Sequence, residues 1–161
     1  MDRLDESLIR EYMHLNSKHQ RIMARLARIK KAFWQQSFMR SPLDVDEVGN
    51  PNRIVRFDKQ INAILDMESL ANEVSQEIVF KAHLWARYIN GLSTGNKAYL
   101  LAKYKRGEQV PLHLEIEQSA VNECNQVEEA TALRFGLADE RAVDVSNDVN
   151  QMMNQVLGII S

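Results

Sequence analysis

Leu8, Tyr12, Leu15, His19, Ile22, Leu26, Ile29 and Phe33 recur at alternating spacings of four and three, the period that gives an α-helix a seam for a second helix. No Gly or Pro interrupts the chain before Pro42, so the pattern predicts one helix from Leu4 to Phe38, on the order of 50 Å long at 1.5 Å per residue. A seam of that length needs a partner. From Phe57, the residues Ile61, Ile64, Ala71, Val74, Ile78, Ala82, Trp85, Ile89 and Leu92 trace a second apolar stripe, and Asn90-Gly91 predicts its C-terminal end. The segment 39–56 between them holds Pro42, Gly49 and Pro51 and reads as a loop. The two long helices either fold back as an antiparallel hairpin or pair between copies as a coiled-coil arm, which predicts a homo-oligomer.

Beyond residue 92 the periodic pieces are shorter. Ser93-Thr94 predicts the cap of a helix over Asn96–Arg106, with Ala98, Leu101, Ala102 and Tyr104 inward and Gly107 ending it. Pro111 suits the first turn of a brief helix over Leu112–Glu117. Ser119 then caps a helix from Ala120 to Phe135 with Val121, Cys124, Val127 and Thr131 on one face, and Gly136 follows. Val145, Val149, Met152, Val156 and Ile159 give the tail a helical stripe. Gly (6) and Pro (3) are too scarce for a turn-rich β-fold. The expected fold is all-α: a long-helix arm or hairpin over 1–92, then a small helical domain over 93–161 with an amphipathic tail.

Charge changes this picture more than composition does. The formal net charge is only −2. Yet Tyr12 to Pro42 and Lys81 to Gly107 carry Lys and Arg without any acid, whereas the chain from Glu108 onward is dominated by acids. Near-neutrality therefore conceals a basic and an acidic surface. Lys18, Arg21, Arg25 and Arg28 form a basic stripe beside the first seam, placed either to meet successive phosphates or an acidic protein surface, or to pair with Asp66, Glu68, Glu73 and Glu77.

Chemistry-bearing motifs are scarce. No Gly-rich phosphate loop, HExxH or GxSxG occurs. The single Cys124 reads as a small buried apolar residue, and His19 on the seam reads as a packing histidine rather than a ligand. Asp44, Asp46 and Gly49 imitate a calcium loop, but Val48 and Val55 stand where ligands are needed. No metal, cofactor or catalytic residue is expected. The charged N-terminus and the lack of a long apolar run predict a cytoplasmic protein that does not enter a membrane.

The segment 96–136, NKAYLLAKYKRGEQVPLHLEIEQSAVNECNQVEEATALRFG, has the element order of a helix-turn-helix unit with a support helix in front. Over about residues 87–136 the chain resembles phage late-gene transcription regulators of the RinA and ArpU type, whose C-terminal part is similar to the promoter-reading helix-turn-helix of sigma factors. RYINGLSTGNKAYLLAKYKRG matches the stretch that leads into the motif, and SAVNECNQVEEA would be the recognition helix. The resemblance implies double-stranded DNA as partner, with Lys97, Lys103, Lys105 and Arg106 on the phosphate backbone. Ser119, Asn122, Asn125 and Gln126 would lie at the base edges, and RNA polymerase or another protein would meet the acidic C-terminal face. The chain departs from that pattern in having Glu123, Glu128 and Glu129 on this helix and no basic residue there before Arg134. A non-enzymatic regulator is one expectation; a helical adaptor or inhibitor that binds a protein, or a small DNA-packaging subunit, is the other.

Overall fold

The computed structural model describes residues 3–37, 57–137 and 145–160, which are mostly helical with no strand among them. Among the described residues six α-helices follow one another: α1 (Arg3–Met13), α2 (Leu15–Ser37), α3 (Phe57–Gly91), α4 (Thr94–Leu100), α5 (Leu114–Phe135) and α6 (Val145–Ile160), with a π-helical turn at Leu101–Lys105. The all-α expectation holds, and α3 has the predicted ends. The expected loop 39–56, Phe38 and the calcium-like Asp44, Asp46 and Gly49 lie outside the described residues.

Contacts divide the chain into two compact units, residues 1–21 with 75–144 and residues 22–74 with 145–161. The division differs from the boundary expected at 92/93, because α2 and α3 each give one part to either unit.

In the first unit, Ile9 and Tyr12 of α1 and Leu15 of α2 are buried with Ile78, Trp85 and Ile89 of α3, Leu100 of α4, and Ala120, Cys124 and Val127 of α5. Tyr12 packs edge-on against Trp85 at 5.4 Å, and His19 shares a 2.6 Å hydrogen bond with the Ser75 hydroxyl. Tyr12 of α1 and His19 of α2 thus meet Trp85 and Ser75 of α3 in descending order, the antiparallel order of a hairpin. His19 is half-buried, the packing histidine expected. Cys124 is fully buried, and burial pushes its thiol pKa far above the ordinary value.

In the second unit, Ile22, Leu26, Ile29 and Phe33 of α2 are buried with Ile64, Met67, Ala71 and Val74 of α3 and Val149, Met153 and Val156 of α6. Lys30 reaches Glu68 at 2.5 Å. The Arg25 guanidinium forks onto Asn150 Oδ1 at 2.7 Å and Asn154 Oδ1 at 2.5 Å, one helical turn apart on α6. The α2 seam is therefore covered within one chain.

Four details differ from the periodic reading. The first helix is interrupted at His14, whose N–H bonds to Glu11 O at 2.9 Å while Lys18 N returns to His14 O at 2.9 Å. No Gly or Pro marks that break. The π-helical turn shifts the phase of the third segment, so Leu100 is buried and Ala98, expected inward, is exposed. Met153 rather than Met152 occupies the core position of α6. The largest change lies at 112–135. The short helix, the turn and the cap at Ser119 are replaced by one helix, α5, whose N-cap residue is His113 and which ends at Gly136 with φ +63°. Nothing between Leu114 and Phe135 is a Gly or Pro, and Ala120, Val121, Cys124 and Val127 continue the buried stripe begun at Ile116. Continuous packing overrides a turn signalled only by one serine.

Candidate functional site

The chemistry of the first unit concentrates where α5 begins. Glu117, three residues into α5, has no solvent exposure. Its Oε1 accepts from the Tyr99 hydroxyl at 2.5 Å and from the Lys103 ammonium. Lys103 Nζ also lies 3.8 Å from Glu6 of α1. The Tyr99 hydroxyl accepts in turn from His113 N at 3.1 Å, so one phenol ties the N-cap residue of α5 to the buried carboxylate. The π turn contributes to this convergence: its hydrogen bonds span five residues, as in Arg106 N to Leu101 O at 3.0 Å, and Tyr99 and Lys103, four apart, reach the same oxygen.

Burial alone would raise the Glu117 carboxyl pKa. The hydrogen bonds from Lys103 and Tyr99 outweigh it and hold the group below its ordinary value. Burial would lower the Lys103 pKa, but the Glu117 carboxylate holds the ammonium above its usual range. Tyr104, on the same turn, is pushed up to about 12, first by burial and then by the nearby Glu117 charge. The cluster thus keeps a fixed ion pair across the physiological range. Glu117 Oε2 and the Tyr104 hydroxyl are buried, with no hydrogen-bond partner of good geometry among the described residues. Among the described residues no group of three or more His, Cys, Asp or Glu could hold a metal ion.

A second, half-buried ion pair braces the middle of α5. Lys81 of α3 bonds to Glu128 Oε1 at 2.8 Å and Oε2 at 2.6 Å, and the Tyr12 hydroxyl donates to Glu128 Oε1 at 2.6 Å. Glu117 and Glu128 both belong to the acid-dominated chain after Glu108, which the charge pattern assigned to an acidic surface. The structure turns them inward. The signal for Glu117 was present: extended one turn toward the N-terminus, the stripe Ala120–Cys124–Val127 passes through it.

The residues expected at a DNA backbone are dispersed and largely engaged. Lys103 is 19% exposed and held by Glu117. Lys97 bonds to Asn90 Oδ1 at 2.8 Å, Arg106 pairs with Glu108 at 2.6 Å, and Lys105 is exposed. In the basic stripe, Lys18 pairs with Glu11 at 2.7 Å, Arg21 bonds to Ser17 O and Arg28 to Ala24 O, and Arg25 holds the two asparagines of α6. Lys18 and Arg21 belong to the first unit, Arg25 and Arg28 to the second.

The residues expected at base edges share the solvent side of α5. Ser119, Asn122, Asn125 and Gln126 are all exposed, with Ser119 3.0 Å from the Tyr88 hydroxyl. The sequence reading missed how this side ends. Leu114 is 58% and Leu133 86% exposed, and with Gln118, Asn122, Asn125 and Glu129 they form one outward stripe at spacings of four, four, three, four and four. Leu112, just ahead of α5, is exposed as well. No helix among the described residues is long and apolar enough to cross a membrane. No family model, curated protein or solved structure matches the chain.

Proposed function

We propose that the protein acts without catalysis, as a helical binding module that docks another protein on the outward stripe of α5. The observation that carries this reading is the stripe itself. Leu114 and Leu133 offer apolar anchors at either end, and Gln118, Asn122, Asn125 and Glu129 offer hydrogen bonds between them. Interfaces combine apolar anchors with satisfied polar groups in this way. A duplex fits the face less well. Glu115 and Glu129 are exposed on it, no Lys or Arg lies between Arg106 and Arg134, and Lys103 is committed to a buried carboxylate. Each of these weakens the attraction to phosphate that supplies most nucleic-acid affinity.

A photo-crosslinking side chain placed at Asn122 in the full-length protein, with an equivalent at exposed Gln76 of α3 as control, tests the reading in the cell that makes the protein. A protein adduct from position 122 that disappears when Leu114 and Leu133 are changed to Ser is the expected result. Adducts to nucleic acid alone, paired with duplex binding that collapses as salt rises, would replace this reading with the DNA-binding regulator implied by the resemblance to the RinA and ArpU type.

A further inference from the structure

The outward stripe of α5 has a mirror symmetry. About the midpoint between Glu123 and Cys124, Leu114 answers to Leu133, Gln118 to Glu129 and Asn122 to Asn125. A helix with such a stripe can meet a second copy of itself, antiparallel about a two-fold axis, with every position opposite a compatible one. Leucine then faces leucine at both ends, glutamine faces glutamate twice, and asparagine faces asparagine twice at the centre. This is the condition for an isologous interface, in which one patch is complementary to itself.

We infer that the partner seated on α5 is a second copy of this chain, paired antiparallel through Leu114, Gln118, Asn122, Asn125, Glu129 and Leu133; the inference rests on the reading of α5 as a docking face. Four observations favour a second copy over a different protein. Both end leucines are more than half exposed. All four polar members of the stripe are exposed, and their known contacts, such as Gln118 Nε2 to Asn122 Oδ1 at 3.5 Å, lie within α5 itself. No acid of the stripe is set directly opposite an acid: Glu129 meets Gln118, whose amide can donate to it. The central asparagines define the register, since a one-turn slip would set leucine against amide and leave polar groups unpaired.

Association is expected to be weak, because one face of one helix is smaller than the interface of a stable dimer. The nearest like charges across the axis are Glu115 and the other copy's Glu129, about one turn apart. Their repulsion is screened by salt, so the pair should tighten as ionic strength rises. That trend is opposite to the one expected of duplex binding.

Two measurements on the full-length protein test the pairing. In sedimentation equilibrium the wild type should show a monomer–dimer equilibrium that shifts toward dimer with added salt, and Leu133→Glu should abolish it with an unchanged thermal melt, since that side chain is exposed. Under mild oxidation, a mixture of Leu114→Cys and Leu133→Cys chains, one of them tagged, should form the mixed disulfide at least tenfold faster than either chain alone. Buried Cys124 does not compete. A wild type that stays monomeric at several hundred micromolar, or disulfides that join like with like, overturns the inference. If position 122 then crosslinks a protein of another mass, the docking face survives and the second copy does not. If it crosslinks only nucleic acid, the docking reading itself has failed.

Discussion

Replacing Glu117 by Gln removes one charge from the base of α5 while keeping the side-chain volume. The Tyr99 hydroxyl can still donate to the amide oxygen, so that bond survives. The Lys103 ammonium, 19% exposed, loses its closest counter-charge and among the described residues keeps Glu6, 3.8 Å away and 44% exposed. Breaking a buried ion pair from one side costs roughly 3–5 kcal/mol. The residual exposure of Lys103 lets its ammonium turn toward water, which places the expected loss at or just below the lower end of that range, at about 2–3 kcal/mol. Replacing Lys103 by Met alone strands the carboxylate and should cost at least as much. The double variant removes both charges and should recover more than half of the summed loss, because a buried pair is worth little against apolar groups of similar size. Urea unfolding at neutral pH followed by far-ultraviolet circular dichroism, with the shift in midpoint read at constant slope, gives all three values. A loss below about 0.5 kcal/mol for Glu117→Gln would place the carboxylate in water and refute the buried pair.

Three other outcomes are expected. Tyr12→Phe removes the 2.6 Å bond to Glu128 and the longer contact with Cys124 O but leaves Lys81 on Glu128; the cost should be about 1–2 kcal/mol in the same urea assay, and no measurable cost would mean that the hydroxyl is hydrated. Cys124 should react with a thiol reagent at mildly alkaline pH only as fast as the first unit opens, because burial disfavours its thiolate; reaction at the rate of a free thiol would show that α5 is not packed there. Gly136→Ala meets no steric obstacle but must hold φ +63°, a conformation that costs an L-residue roughly 1–2 kcal/mol, whereas Gly91→Ala, with neither obstacle nor positive φ, should be neutral or stabilising by differential scanning calorimetry.

Long apolar stripes made α3 and most of α2 legible, since each of their buried positions repeats a signal carried by its neighbours. Helix ends at Gly91 and Gly136 were legible for the same local reason. What escaped depends on distant residues. Nothing near His14 announces a break, and nothing in LAKYK announces an i→i+5 turn. With that turn unseen, the phase slipped and Ala98 was placed inward where Leu100 belongs. Ser119 was read as a cap because capping is a local property, whereas its neighbours are committed to the packed stripe of α5. Lys103 illustrates the limit of charge counting. Its place in a basic cluster suggested phosphate, and only the fold reveals that an acid fourteen residues away claims it. The exposed leucines of α5 were in view, but exposure cannot be read from periodicity when a stripe lies opposite the core.

The Arg25 fork has a bearing on how the second unit responds to acid. Arg25 holds α6 through two neutral amides, and neither guanidinium nor amide changes charge between neutrality and strong acid. At the base of α5 the corresponding tie is a carboxylate whose folded pKa lies below its unfolded one. The stability it confers is present above the unfolded value and is lost as pH falls through the folded one. The half-exposed Lys30–Glu68 pair contributes little either way. Acidification should therefore loosen the anchorage of α5 while α6 keeps its own, and amide hydrogen exchange at low pH would find protection persisting along α6 after the first turns of α5 have lost theirs.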